Sequence, residues 1–351
     1  MTESGDGSAP LGYSAFLAAG FAAILALTIV LMFLSIPAGV YAFFFGHLSS
    51  SYTWASLGTP YLWIGPEAVW LPFSTTIGST FLAATLAYVV LMAYAIRSGV
   101  GPLRAMYRSV RRGFGSLFES PFLVAVVSIG FLVFTSTLVD SVVSGSAPPA
   151  DPLVELWSLA YAPVVEEFGF RMIMIGLVAA VFALASLRPR AKAFFKVLWR
   201  PSSAIESEPS FKYAIGALAV LSSLTFGYAH VAAGWTSGKF FEATYGGLVL
   251  AYLYVKYGFH MSVLAHWGID YFASAFAFFG QAVNPSIPWN SLTQSYFLEE
   301  LVSIDLLAVV GIASFLAVVY MGLGRWTKKP PAPPEAAEVH NTPSPGDGQV
   351  Q

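Results

Sequence analysis

Long apolar runs, separated by short polar connections, dominate the chain. Eight of them are long enough, or nearly so, to cross about 30 Å of hydrocarbon with roughly 20 residues each. They cover approximately 13–44, 69–96, 120–143, 153–187, 211–233, 240–257, 259–280 and 300–324. The sixth run is short, and Tyr257-Gly258 leaves almost no loop before the seventh. That pair predicts a tight hairpin or a partly re-entrant element. The expected fold is all-α: a polytopic membrane bundle of about eight transmembrane helices over 13–324, after a short tail at 1–12. From Pro330 onward the chain is Pro-rich and lacks aromatics, so 325–351 is expected to be a disordered cytoplasmic tail. No internal repeat is visible.

Composition sharpens this picture. The 351 residues are 56% hydrophobic and only 10% charged, against roughly 25% charged in a typical soluble domain. A net charge of −2 offers no basic surface for nucleic acid. The absence of cysteine excludes disulfides, Cys-ligated zinc and a thiol nucleophile. The first 12 residues hold no Lys or Arg, and the run Tyr13–Ile36 is too long for a signal-peptide core. It reads as a retained first span.

Charge placement supports the span count. With the N-terminus inside, 15 of the 17 basic residues fall on the cytoplasmic side, as the positive-inside rule requires. Arg171 and Lys239 are the exceptions. Both termini are then cytoplasmic, and the expected location is the cell membrane. Trp54, Trp63, Trp70, Trp235 and Trp289 lie in the opposite loops as interfacial anchors. Residues 101–119 are either a basic amphipathic helix on the inner surface or, the favoured reading, an ordinary basic loop.

Candidate chemistry begins in Tyr161-Ala-Pro-Val-Val-Glu-Glu-Phe-Gly-Phe-Arg171, where three ionised groups interrupt an apolar run. Such groups at bilayer depth are costly and mark function by default. Helical spacing puts Glu167 and Arg171 on one face, while Glu166 points about 100° away without a partner. His230 closes the fifth run, and His266 and Asp270 share a face of the seventh. His260 is expected at the membrane edge, and Asp305 has no assigned role. Two His and an unpaired carboxylate suit peptide-bond hydrolysis by activated water, zinc-assisted hydrolysis or a proton relay in a transporter. Spacing alone does not choose among them.

The order Glu-Glu-x-x-x-Arg (166–171), Phe-x-x-x-His (226–230) and His-x-x-x-Asp (266–270) resembles the CAAX-protease and bacteriocin-processing (Abi) family of intramembrane peptidases, which includes the type II CAAX prenyl endopeptidases. The resemblance covers about 153–275 and rests on Glu166, Glu167, Arg171, Phe226, His230, His266 and Asp270. It implies an eight-helix bundle and a hydrolase in which Glu166 is the general base and His230 positions the water. It also implies that His266 and the residue four later bind the oxyanion, with Glu167 and Arg171 in support. Many relatives carry Asn where this chain has Asp270, so Asp270 is protonated, orients His266 or ligates a metal. In the metal-assisted alternative, a metalloprotease, zinc would be held by Glu166, His230, His266 and Asp270. Expected partners are the lipid bilayer and a membrane-associated peptide or protein, prenylated or signal-like. A non-catalytic scaffold of the same fold and a proton-coupled transporter are the competing functions.

Depth poses a problem for this assembly. Glu166 lies about 13 residues into its span and His230 near the outer end of its own, but His266 sits about seven residues from the inner end. For the three to meet, a span must tilt or shift, or a boundary must move.

Overall fold

The computed structural model describes residues 11–46, 56–58, 60–143, 151–186, 191–284, 286 and 306–326. Helix α1 (Leu11–Phe44) leads into two antiparallel strand pairs. Strand β1 (Ser56–Gly58) pairs with β4 (Thr75–Thr76), and β2 (Tyr61–Ile64) pairs with β3 (Glu67–Trp70). Then come α2 (Ile77–Arg97), α3 (Pro102–Arg112), a 3-10 turn at Phe114–Glu119 and α4 (Pro121–Val143). The next span is continuous from α5 (Pro152–Glu166) through a π-wound segment (Glu167–Leu177) into α6 (Val178–Ser186). Two short helices follow, α7 (Ala191–Trp199) and α8 (Ser202–Ser207), then the long α9 (Phe211–Ala232) and α10 (Gly238–Tyr257). The following span is α11 (Phe259–Trp267), a π turn (Gly268–Phe272) and α12 (Ala273–Val283); the last helix is α13 (Leu306–Trp326).

The molecule is an all-α polytopic bundle with two small β pairs. Among the described residues, five helical stretches are long and apolar enough to cross a membrane: Ala15–Phe44, Ile77–Arg97, Pro121–Val143, Pro152–Ala185 and Phe211–Ala232. Their outward faces are apolar too, with Leu86, Val90, Phe182 and Leu221 exposed, as lipid-facing positions require. The chain is a membrane protein.

Two local expectations change. Residues 69–76 do not begin the second span; they belong to the strand region. Pro72 cannot continue a helix, and Thr76 starts one with a capping box shared with Ser79. Residues 101–119 are not a plain loop, because α3 is an amphipathic helix. It buries Ala105, Met106 and Ser109 while its arginines face outward.

Small residues let the helices approach closely, as van der Waals packing in lipid demands. A side chain at Gly227 would strike Thr244 and Phe240, and one at Gly247 would press on Ser223, so α9 and α10 lie almost backbone to backbone. The α10–α11 turn passes through Gly258 at φ 111°, a conformation that favours glycine. The chain divides into two compact units, Met1–Phe315 and Leu316–Gln351; within the second, 316–326 complete the last helix. His47, Trp54, Trp289, Asp305, His340 and the expected Pro-rich tail beyond Trp326 lie outside the described residues.

Candidate active site

Helix α5 is started firmly and loosened before it reaches the site. Asp151 caps it, accepting from the amides of Leu153 at 2.9 Å and Val154 at 3.3 Å, with Pro152 at the first helical position. Pro163, one turn before the paired carboxylates, has no N–H to give residue 159. The backbone then winds as a π-helix from Glu167, a rare form that concentrates at functional sites.

The two glutamates diverge from there. Glu167 is fully buried and collects three partners: Arg171 Nε at 3.3 Å, His266 Nδ1 at 2.9 Å and the Ser262 hydroxyl, which donates to it. Arg171 is equally buried, its guanidinium 4.5 Å from the Phe226 ring centroid. A charge pair without solvent survives only when its remaining lone pairs are used, and Ser262 and His266 use those of Glu167.

Glu166 instead opens into a cavity of about 300 Å³. Its Oε2 lies 3.7 Å from His266 Nε2, which is also 3.3 Å from Asp270 Oδ2. His266 therefore stands among three carboxylates, with Glu167 on Nδ1 and Glu166 and Asp270 at Nε2. Asp270 sits on the second π turn, Gly268–Phe272. His230 lines the same cavity, its Nδ1 turned back to the Phe226 carbonyl at 2.9 Å. The Phe226 ring stands between the two histidines, 4.6 Å from His230 and 5.8 Å from His266, both edge-on.

The depth problem is answered by the cavity's shape and by the packing of α9 on α10. Its walls on α10 run from Leu250 to Lys239, about 16 Å at 1.5 Å per residue. His266 lies toward one end and His230 toward the other, so the groups share a cavity without sharing a plane.

Several contributors carry no sequence motif. Strands β2 and β3 cover the site: Tyr61 and Trp63 line the cavity, and Tyr161 donates to the Tyr61 carbonyl at 2.7 Å. A side chain at Gly169 would overlap the Trp63 backbone, so that glycine admits the strand. Burial, with the Glu166 charge adding, pushes the Tyr61 hydroxyl up to about 12, leaving it protonated at neutral pH. Ser262, four residues before His266, carries a signal that could have found it, since the two share a helix face. His260, expected at the membrane edge, is buried beside Tyr94 and Trp199.

Among the described residues, no three His, Asp or Glu side chains are placed to hold a metal ion.

Residues 148–272 match a family model described as type II CAAX prenyl endopeptidase Rce1-like. No curated protein and no solved structure matches the chain. The matched segment holds Glu166, Glu167, Arg171, Phe226, His230, Ser262, His266 and Asp270, and the match supports membership of the CAAX-protease family.

Proposed function

We propose that the chain is an intramembrane endopeptidase of the cell membrane that hydrolyses a membrane-associated peptide by carboxylate-activated water. The observation that carries the reading is the approach of the Glu166 carboxylate to His266 Nε2 at 3.7 Å inside a cavity that also holds His230. Glu166 is not paired with Arg171 and faces the cavity, as a general base must; Asp270 faces it too, but lies closer to His266 Nε2, at 3.3 Å. A water beside it is oriented by the Nε2 of His230, whose Nδ1 is occupied by Phe226. Attack on the scissile carbonyl places negative charge on its oxygen, and the Nε2 of His266 is the donor aimed there. Glu166 then passes the proton to the leaving amine.

Around that step the other groups position. Glu167, fixed by Arg171 and Ser262, holds the His266 ring by Nδ1, while Asp270 holds it from the Nε2 side. Of the three roles open to Asp270, orienting His266 is the one this contact supports.

Purified protein should lose peptide cleavage by about 10²–10⁴-fold on Glu166→Gln and should also lose it on His230→Ala, with thermal unfolding unchanged within a few degrees. Undiminished turnover in both variants would sink the assignment. It would leave a scaffold of the same fold, to be sought by co-purification of a partner.

A further inference from the structure

Helix α3 lies between the end of span α2 at Arg97 and the start of span α4 at Pro121. It therefore sits where the chain leaves the apolar region and returns to it. At about 100° per residue, its side chains sort into three strips. Ala105, Met106 and Ser109 are buried, where α3 packs on α1 and on the 3-10 turn. Leu103 and Tyr107, one turn apart, are exposed and form an apolar strip. Arg104, Arg108, Arg111 and Arg112 share the remaining sector beside it. An exposed apolar strip bordered by a cationic one suits a helix lying among lipid headgroups.

The arginines form a site as well as a strip. All four, with Tyr107, line a hollow of about 290 Å³. The Arg111 guanidinium lies 4.7 Å from the Tyr107 ring centroid, and Arg108 is held by Glu119 at 2.6 Å. Gly113, at φ 93°, takes a backbone conformation that favours glycine and turns the chain so that Glu119 comes back alongside α3. Among the described residues, Glu119 is the one carboxylate paired with these arginines, so positive charge remains in excess. The planar guanidinium fork matches phosphate oxygens in pairs.

We propose that α3 binds the headgroup of an anionic phospholipid, with the arginines on its phosphate and with Leu103 and Tyr107 against its acyl chains. The occupant is a lipid and not a soluble anion, because the apolar strip borders the arginines and the flanking spans place α3 at the membrane boundary. The proposal stands apart from the endopeptidase reading, and none of these residues lines the cavity that holds Glu166.

Native mass spectrometry of the full chain in non-ionic detergent tests it. Phosphatidylglycerol and phosphatidylcholine of the same acyl chains are titrated onto wild type and onto an Arg104→Gln, Arg111→Gln, Arg112→Gln variant. Each arginine near an anionic surface is worth about fivefold, so the triple variant should bind phosphatidylglycerol about 10²-fold more weakly. Phosphatidylcholine should bind both proteins equally and less tightly. Equal retention of phosphatidylglycerol by the two proteins overturns the proposal, and so does phosphatidylcholine held as tightly by wild type. Glycerol phosphate displacing phosphatidylglycerol at a similar concentration would assign the hollow to a free anion and overturn the lipid. Should the triple variant unfold early without lipid, Arg104→Gln and Arg112→Gln, both at exposed positions, carry the test singly at about fivefold each. No loss in either overturns the proposal.

Discussion

Glu167 Oε1 lies 2.9 Å from His266 Nδ1, across 99 positions of sequence. This contact joins the π-wound segment after α5 to the end of α11, and it explains why neighbouring glutamates behave differently. One is consumed in holding an imidazole and a guanidinium; the other is left facing the cavity.

The buried pair predicts an asymmetric stability response. Removing one partner strands the other charge, at about 3–5 kcal/mol. Arg171→Met should therefore lower the unfolding temperature sharply in detergent. Glu167→Gln together with Arg171→Met should recover much of the loss, because no bare charge remains. A double variant less stable than either single one would contradict the geometry.

Asp270 offers a finer test. If its task is to orient His266 from 3.3 Å, Asp270→Asn keeps an oxygen acceptor in place and should hold cleavage within about tenfold. Asp270→Ala removes the acceptor and should cost about 10²-fold or more, both judged against typical proton-transfer contributions. Equal loss in both variants would assign the negative charge itself to the mechanism. Steady-state cleavage of one peptide at fixed pH makes the comparison.

Gly169 controls the cover. A methyl group there overlaps the Trp63 backbone, so Gly169→Ala must displace β2 or the π segment, an overpacking cost of about 1–3 kcal/mol. Cleavage should fall while Glu166 and His266 remain intact, with a change in tryptophan fluorescence as Trp63 shifts. Wild-type kinetics with an unchanged spectrum would mean the strand does not bear on the site.

Chelation tests the donor arrangement. No three His, Asp or Glu side chains among the described residues are placed for a metal ion, so cleavage should persist in excess EDTA and purified protein should hold no stoichiometric zinc. Activity lost to EDTA and restored by zinc alone would reverse this.

The amino-acid sequence was informative wherever the physics is local. Apolar run lengths locate the helices because the bilayer sets a minimum span. The Glu167–Arg171 and His266–Asp270 contacts follow from four-residue spacing on one helix. Pro72 and Thr76 were also legible markers that 69–76 could not begin a span, though the apolar count masked them. Other relationships needed the folded chain. In membrane spans, lipid and protein interior are both apolar, so no polar face shows which side of a helix meets its neighbours. Thus the partner of Glu166, the seating of Trp63 on Gly169 and the convergence of Ser262 and His266 on Glu167 are products of packing between helices. Periodicity determined which groups travel together on each helix; only the close approach of helices through small residues decided which of them meet.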